Sequence, residues 1–277
     1  MKELRGRVVA ITGAGSGIGR ALAIELAGRG APLALCDVDE AGLAETVAGC
    51  EGRGIKVTSQ RLDVSDRAGV HEWADRVVED HGKVNMIVNN AGVALSASVD
   101  SMSYEDFEWL MSINFWGVVN GTKAFLPHLK AAGEGHVVNV SSVFGLLAIP
   151  SQSAYNAAKF GVRGFTDALR IELDIERCGV SATTVHPGGI RTNIVRNARL
   201  DPDSSPIGAD NEAAAVDFAK VARTTPDAAA LQILSAVERN RRRALIGPDA
   251  RLFDLASRLP AGFSQRVLVT GSRLRRR

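Results

Sequence analysis

The amino-acid sequence predicts an α/β fold, a single domain built on a doubly wound parallel sheet of about seven strands. Short apolar runs alternate along the 277 residues with longer segments whose apolar side chains recur at helical spacing. Most of these runs are continuous and β-branched, which is typical of strands buried on both faces of a parallel sheet. Neither a linker nor a repeat interrupts this order, so one domain suffices.

The predicted strands alternate with predicted helices, which implies right-handed crossovers. The strands are residues 8–12, 32–37, 57–64, 85–92, 136–142, 180–188 and 243–247. The helices are residues 18–30, 39–50, 66–82, 103–129 and 154–179, with a further one opened by Thr225-Pro226-Asp227. Gly30, Gly82 and Gly179 each follow a last turn and mark a helix end.

One polar segment, residues 191–224, departs from this alternation. It contains Pro202 and Pro206 and is long for a connection between a strand and a helix, which is typical of a lid over a binding site. The predicted division of the chain is therefore a domain over residues 1–250, which includes this lid, and an extension over residues 251–277.

The C-terminal residues 248–277 predict one amphipathic helix, with its apolar residues between Leu252 and Leu259, and then a basic end from Arg273 to Arg277. We expect this helix to pack on its own domain or on a partner subunit. The alternative is that it lies on an anionic membrane, with leucine and phenylalanine inward and the arginines at the surface.

Composition excludes some classes of function. The net charge of +2 gives no strong field for nucleic acid or membranes. Cys36, Cys50 and Cys178 are far apart and odd in number, which favours reduced thiols in the cytoplasm. The five histidines are scattered, so no metal site is predicted. We expect neither a signal peptide nor a membrane span, because no apolar stretch is long enough.

A glycine-rich turn, TGAGSGIG, lies where the first predicted strand meets the first predicted helix. Gly13, Gly17 and Gly19 allow unusual backbone angles and let a pyrophosphate approach the chain, whose free N–H groups at the helix start bind phosphates. Ser16 and Ile18 belong to the same predicted cofactor site. The alternative is a tight turn that needs glycine for its geometry alone.

An acidic residue, Asp37, ends the second predicted strand about twenty positions after the glycines. A carboxylate there accepts hydrogen bonds from the adenosine ribose and repels a 2′-phosphate. No basic residue follows at position 38, and the turn itself holds Ser16. These features predict NAD(H) over NADP(H), with helix capping as the alternative role of Asp37.

Seven motifs in order carry a resemblance to a known family. They are TGAGSGIG (12–19), LDV (62–64), NNAG (89–92), INFWG (113–117), NVSS (139–142), YNAAK (155–159) and HPGGIRT (186–192). Over roughly residues 5 to 250 the chain resembles the short-chain dehydrogenase/reductase family, a Rossmann-like fold, and in particular its single-domain members with a Tyr-x-x-x-Lys active site.

The resemblance implies four catalytic residues. Tyr155 would be the acid/base, and Lys159 would bind the nicotinamide ribose and lower the pKa of the tyrosine. Ser142 would hydrogen-bond the substrate oxygen; Ser141 is its rival, but the family spacing matches the second serine. Asn114 would hold the lysine through a water in a proton relay, although by itself it could simply satisfy a buried backbone group.

The resemblance also implies further cofactor contacts. Asp63 would contact the adenine, with Val64 beside it, unless Asp63 only forms a turn. The remaining residues would follow the ribose side (Asn90, Ala91, Gly92) and flank the nicotinamide (Pro187, Gly188, Ile190, Thr192).

The chemistry suits these residue types. A free tyrosine has a pKa near ~10, and a nearby ammonium favours its phenolate. Lowering the pKa toward the working pH makes acid/base catalysis efficient. Positions four apart share a helix face, so Tyr155 and Lys159 can both point at the cofactor. Ser142 follows a strand at the edge of the sheet where ligands bind.

The predicted function is hydride transfer between NAD(H) and a secondary alcohol or ketone on an apolar substrate. Residues of the lid 191–224 are expected to face that substrate, together with seven apolar residues: Val93, Ala94, Leu95, Val143, Phe144, Leu146 and Leu147. The alternatives are an NADPH-dependent carbonyl or ketoacyl reductase and a non-catalytic cofactor-binding regulator. A homodimer or homotetramer through the helices at 103–129 and 154–179 is expected, and no nucleic-acid partner.

Overall fold

A computed structural model of the chain describes residues 3–201 and 222–274, with a parallel sheet at its centre. In chain order the strands are β1 Val9–Thr12, β2 Leu33–Asp37, β3 Val57–Arg61, β4 Met86–Asn89, β5 Leu95–Ser96, β6 Gly135–Val140, β7 Val180–Pro187, β8 Arg199–Leu200 and β9 Arg243–Ile246. The central sheet has the order β3-β2-β1-β4-β6-β7-β9, and β5 pairs separately with β8. The predicted single α/β domain with about seven parallel strands is confirmed.

Helices cover the sheet. They are α1 Gly17–Gly28, α2 Glu40–Cys50, α3 Arg67–His81, α4 Tyr104–Met111, α5 Gly117–Ala131, α6 Ser153–Glu176, α7 Pro226–Glu238, α8 Pro248–Ala256 and α9 Ala261–Leu274. The side chain of Thr225 accepts a hydrogen bond from the backbone N–H of Ala228, so α7 begins where the sequence predicts.

Two predicted helices differ in detail from the structure. The helix predicted over 103–129 contains a π-helical turn, Ser112–Trp116, between α4 and α5. The single C-terminal helix is wrong, because α8 and α9 are separate helices with Pro260 between them. Proline lacks an N–H group and disfavours helical angles in the residue before it.

Part of the predicted lid and of the basic end lies outside the described residues, namely 202–221 and 275–277. The two described ends of the lid are neighbours, since Ile190 forms a β-bridge with Thr224. Across the described ranges, no helix combines the length and the apolar character needed to cross a bilayer.

The two faces of the sheet bury separate apolar clusters. Val9 and Ile11 of β1 pack into the cluster that includes α1 and α7, whereas Ala10 between them packs into the cluster on the opposite face. Trp73 of α3 and Phe125 of α5 make an edge-to-face contact of 5.0 Å in that second cluster. Burial on both faces explains why the predicted strands are continuously apolar.

The strand order reverses beside β1. The chain runs outward from β1 through β2 to β3, and then β4 returns to the other side of β1. In such sheets the segments that follow the carboxyl ends of the strands diverge and leave a crevice. The motifs after β1, β4, β6 and β7 all lie at this edge.

A close approach of α5 to β4 gives a prediction about stability. A Cβ atom at Gly121 would overlap Oδ1 of Asn89, whose amide nitrogen donates to Asn139 (2.8 Å) and Thr122 (3.1 Å). We expect Gly121→Ala to lower the free energy of unfolding by about 2 kcal/mol, measured by urea denaturation.

Gly164→Ala is the matched control for this change. Gly164 is exposed within α6, and a Cβ atom there would meet no neighbour within 4 Å. This substitution should raise the free energy of unfolding by about 0.5–1 kcal/mol, because alanine is the better helix former. Equal effects of the two changes would contradict the packing of α5 on β4.

Candidate active site

A cavity of about 640 Å³ opens at the carboxyl edge of the sheet. It brings together three of the four predicted catalytic residues, Ser142, Tyr155 and Lys159. Six predicted cofactor residues also line it: Ile18, Asn90, Pro187, Gly188, Ile190 and Thr192. The site therefore combines groups from β4, β6, β7, α1 and α6.

Ser141 and Ser142, which follow β6, make different contacts. The Ser141 hydroxyl is buried and donates to the carbonyl of Lys159 at 2.8 Å, so it ties the end of β6 to α6. The Ser142 hydroxyl accepts from the backbone N–H of Phe144 at 3.1 Å and also interacts with the phenol of Tyr155. The structure thus favours Ser142 over Ser141 as the group available to a substrate.

Tyr155 and Lys159 lie in the first two turns of α6. The Nζ atom of Lys159 is 5.4 Å from the centre of the Tyr155 ring and donates to the carbonyl of Val140 at 3.1 Å. The Tyr155 ring also contacts Phe144 edge-to-face, with centroids 6.2 Å apart. The predicted helical pair is therefore in place, with its ammonium anchored to the end of β6.

Burial dominates the protonation of this pair. It raises the pKa of Tyr155 to about 12, and the Ser142 hydroxyl acts in the opposite direction. Burial lowers the pKa of Lys159 to about 8. In the protein without its cofactor, burial therefore raises the pKa of Tyr155, and the lowering expected from Lys159 and the oxidised cofactor stays a prediction.

Asn114 lies in the π-helical turn and is fully buried. Its amide brackets Val93: Nδ2 donates to the carbonyl of Val93 and Oδ1 accepts from its N–H group, both at 2.8 Å. A Cβ atom at Gly92 would lie 3.2 Å from Oδ1 of Asn114 and 3.6 Å from Nζ of Lys159. Asn114 thus hydrogen-bonds the backbone of Val93, which is the alternative role expected for it. Both Asn114 and Lys159 approach Gly92, and the proton relay between them stays a prediction.

The glycine turn is held against the end of β4. Gly13 has φ +65°, and a Cβ atom there would lie 2.7 Å from the Cα atom of Ala91. Nδ2 of Asn90 donates to the carbonyls of Thr12 (3.1 Å) and Gly13 (3.0 Å). At Gly19 a Cβ atom would overlap the carbonyl of Gly13. These close contacts leave room for glycine only.

The helix after this turn begins at Gly17, which has φ +52°. Ser16 occupies the N-cap position, yet its side chain makes no capping hydrogen bond. The first N–H groups of α1 are therefore not satisfied by that serine, and such groups bind anions.

Asp37 lies between the glycine turn and α2. Its Oδ2 atom accepts from the N–H group of Gly15 at 2.7 Å, and its Oδ1 atom accepts from that of Asp39 at 3.0 Å. Asp39, not Asp37, caps α2, since it accepts from the N–H group of Gly42. The capping alternative for Asp37 is therefore wrong.

Asp63 and Val64 form the turn before α3. Oδ1 of Asp63 accepts from the N–H group (2.9 Å) and the hydroxyl (2.7 Å) of Ser65, so the turn-forming alternative describes its contacts. Val64 is buried, and its carbonyl accepts from Nδ2 of Asn120 at 3.0 Å. Contact with an adenine stays a prediction for both residues.

Asp249 is a residue of the site that the sequence reasoning missed. It lies in the first turn of α8, lines the cavity and accepts from the N–H group of Gly189 at 2.6 Å. A Cβ atom at Gly188 would overlap its carboxylate. Asp249 thus holds the loop 187–190, but its Pro-Asp sequence reads only as an ordinary helix start, like Pro226-Asp227.

His186 is a buried residue that contacts the backbone of Ser142. It is fully buried at the end of β7, and its Nδ1 atom is 2.8 Å from the carbonyl of Ser142, so this nitrogen carries the proton and donates it. Burial lowers the pKa of His186 to about 4, which keeps the ring neutral near pH 7. Its neighbours in sequence gave no sign of this contact.

Of the seven residues expected to face a substrate, Ala94, Val143 and Phe144 line the cavity, whereas Leu95 and Leu146 are buried in the interior. The predicted lid also contributes apolar residues to the wall: Ile194, Val195, Ala198 and Leu200. Ile149 and Phe253 line the wall without having been predicted, and contact with a substrate stays a prediction. Phe253 of α8 contacts Phe144 edge-to-face at 6.3 Å, so the C-terminal segment closes one side of the cavity.

Comparison with known proteins gives a consistent result. The family model described as short chain dehydrogenase matches residues 7–203. SadH of Mycobacterium tuberculosis, whose name classes it with oxidoreductases, is 47% identical over 272 residues, which covers 98% of this chain and 97% of that protein. Human estradiol 17-beta-dehydrogenase 11 is 38% identical over 201 residues, covering 71% of this chain and 66% of the relative.

A solved structure agrees in fold. A short chain dehydrogenase/reductase from Burkholderia phymatum, crystallised in complex with NAD, superimposes with a TM-score of 0.83 at 33% identity. The match covers 92% of this chain and 94% of that chain.

The contact between Asp249 and the loop 187–190 gives a prediction. Asp249→Ala removes the acceptor of the Gly189 N–H group, so we expect hydrogen exchange of this amide to accelerate about tenfold or more. Hydrogen-exchange mass spectrometry of peptides that span the loop measures this change.

The control is Asp227→Ala, which removes the equivalent carboxylate from the first turn of α7. Asp227 is exposed, and the same Pro-Asp pair opens its helix. Exchange in the loop 187–190 should be unchanged in this variant. If Asp249→Ala left the loop equally protected, the carboxylate would not be what holds it.

Proposed function

Because the chain belongs to the short chain dehydrogenase family, we propose that it is an NAD(H)-dependent oxidoreductase that interconverts a secondary alcohol and its ketone on an apolar substrate. The observation that carries the proposal is the convergence of Ser142, Tyr155 and Lys159 in one largely apolar cavity at the carboxyl edge of the sheet. A chain that only bound a cofactor would have little need for all three.

The residues on the cofactor side suit a dinucleotide. The N–H groups at the start of α1 suit a pyrophosphate, and Asp37 keeps lone pairs beyond its two backbone contacts for ribose hydroxyls. In this proposal Asp63, Val64, Asn90, Ala91 and Gly92 line the path toward the reactive end. Pro187, Gly188, Ile190 and Thr192 flank the nicotinamide, which supplies the hydride chemistry when bound.

Tyr155 moves the proton in this mechanism. In the oxidation direction its phenolate oxygen takes the proton of the substrate hydroxyl, and in the reduction direction its phenol returns a proton to the carbonyl oxygen. Ser142 donates a hydrogen bond to the same substrate oxygen. Burial keeps the phenol protonated, so the phenolate depends on positive charge beside it, from Lys159 and from the oxidised cofactor.

The nature of the walls supports an apolar substrate. Phe144 contacts both Tyr155 and Phe253 edge-to-face, and Ile149 lines the same cavity, as do the polar groups of Ser142 and Lys159. Binding sites for small molecules commonly combine apolar walls with a few polar groups that fix orientation.

We further propose that the protein works in the cytoplasm as a homodimer or homotetramer. The outer face of α6 exposes Phe160, Ile171 and Ile175, and burial between copies would remove these side chains from water. α6 is also the helix that carries Tyr155 and Lys159.

The test of the reaction compares the two tyrosines of the chain. A panel of apolar and polar secondary alcohols is screened with NAD and NADP by absorbance of the reduced cofactor. We expect turnover of apolar members, a loss of about 10²–10⁴-fold in kcat for Tyr155→Phe and cofactor affinity within about twofold of the parent. Tyr104→Phe alters an exposed ring and should change neither.

Persistent turnover in Tyr155→Phe would remove this residue from the mechanism. Turnover of sugars or small polar alcohols alone would refute the apolar substrate while leaving the reaction class intact.

The cofactor preference is tested at the end of β2. We expect the protein to bind NADH more tightly than NADPH, and Asp37→Ser to narrow or reverse that difference, because the carboxylate that repels a 2′-phosphate is gone. Calorimetric titration with both cofactors measures the ratio. Asp39→Ser is the control: serine also caps helices, so α2 and the ratio should stay as they were.

Tighter binding of NADPH by the parent protein would support the alternative, an NADPH-dependent carbonyl or ketoacyl reductase of the same fold.

A further inference from the structure

The two C-terminal helices expose a row of large apolar side chains. This C-terminal apolar surface consists of Leu252, Leu255 and Leu259 at α8 and of Phe263 and Val267 on α9, and each of these side chains is 45–67% exposed. These side chains are therefore not covered by the rest of the described chain, and the expected packing on a partner subunit stays a prediction. Leu252 and Leu255 lie one turn apart on α8, and Phe263 and Val267 lie one turn apart on α9, so each helix presents exposed apolar side chains on one face. Exposed apolar surfaces of this kind mark contacts with a membrane or with another protein.

The other side of α8 is buried, which explains why Leu252 and Leu255 face away from the domain. Ala250 and Asp254 are buried against the domain, and Phe253 lines the cavity beside Phe144. Ala250, Phe253 and Asp254 recur at helical spacing on the inner face of α8, whereas Leu252 and Leu255 lie on its outer face. The helix forms a wall with the cavity on one side and the C-terminal apolar surface on the other.

The charged side chains at the C-terminus are all positive. Residues 255–277 contain six arginines and neither aspartate nor glutamate. Because the whole chain carries +2, the other 254 residues carry −4. The nearest acid, Asp254, is buried and pairs with Arg243 (3.3 Å) and Arg258 (2.7 Å), so it offsets the charge of Arg258 and leaves the other five arginines of the segment outside this pair.

We propose that the C-terminal apolar surface binds an anionic lipid bilayer, with α8 and α9 lying in the plane of the interface. Apolar side chains of such helices enter the region between headgroups and acyl chains, while arginines along the same helices contact anionic headgroups. The outer wall of the cavity then lies next to the bilayer. This inference concerns binding alone and does not depend on the proposed reaction.

Charge argues against a second copy of the chain as the occupant. A symmetric contact through this surface would bring two arginine-rich segments together without an acidic partner from either segment, and juxtaposed like charges oppose association. An anionic bilayer supplies the missing charge and also accepts the apolar side chains. A peripheral mode suits the described helices, because none is long and apolar enough to span a membrane.

Vesicle co-sedimentation of the full chain tests the proposal. The vesicles are phosphatidylcholine alone or phosphatidylcholine mixed with phosphatidylglycerol. We expect binding to the anionic vesicles, weakening with added salt, and little binding to the neutral ones. Equal binding to both, or to neither, would overturn the proposal.

Two variants separate the contributions of apolar and basic side chains. Leu255→Gln/Phe263→Gln/Val267→Gln and Arg266→Gln/Arg273→Gln should each weaken binding to anionic vesicles about tenfold or more. The control, Val99→Gln/Leu231→Gln, removes two exposed apolar side chains elsewhere on the protein and should bind vesicles like the parent. Circular dichroism checks that each variant is folded.

Analytical ultracentrifugation of the same proteins addresses the competing occupant. If the triple glutamine variant lost subunits and the parent bound no vesicles, the surface would be a contact between copies and the membrane proposal would be refuted. Unchanged mass together with lost vesicle binding supports the proposal.

Discussion

The junction between the ends of β1 and β4 is the constraint on which the rest of the site depends. Asn90 donates to the carbonyls of both Thr12 and Gly13, and the hydroxyl of Thr12 accepts from the N–H groups of Asn90 and Ala91. This network joins two chain segments that lie 77 residues apart at the reversal of the strand order. The same hydrogen bonds therefore position the glycine turn, the start of α1 and the residues after β4 that are predicted to contact the ribose.

Burial of Tyr155 and Lys159 at the start of α6 has a cost that the surrounding structure offsets. Lys159 is buried with one hydrogen bond to the carbonyl of Val140, and burial shifts the pKa of Lys159 and of Tyr155 toward their neutral forms. Perturbed titratable groups of this kind concentrate at functional sites, because the same low dielectric strengthens electrostatic interactions with a bound ligand. Two apolar clusters, one on each face of the sheet, provide the stability that permits such a pair.

The C-terminal segment belongs to the site as much as to the surface. Asp249 holds the loop after β7, Phe253 closes the cavity, and Leu252 and Leu255 of the same helix lie in solvent. A single short helix thereby links the loop predicted to flank the nicotinamide with the outer apolar surface. Only the width of this helix separates Leu252 and Leu255 from the wall of the cavity.

Local patterns determined the fold class and most of the candidate site. Continuous apolar runs predict strands buried on both faces, and the motifs after β1, β4, β6 and β7 meet because parallel strands end at one edge. Ser142, Tyr155 and Lys159 could be named from the sequence because the motifs NVSS and YNAAK resemble those of the short-chain dehydrogenase/reductase family. The start of α7 followed from the capping residue Thr225.

Tertiary structure alone decided the features that depend on distant neighbours. Asp249 meets Gly189 from 60 residues away, and only the packing of α8 against β9 and the loop brings them together. The pKa of Tyr155 is raised by desolvation, and the sequence spacing between Tyr155 and Lys159 gives no information about desolvation. The amphipathic pattern of the C-terminus identified an apolar face, but which side chains of α8 turn toward the cavity and which toward solvent is a property of packing.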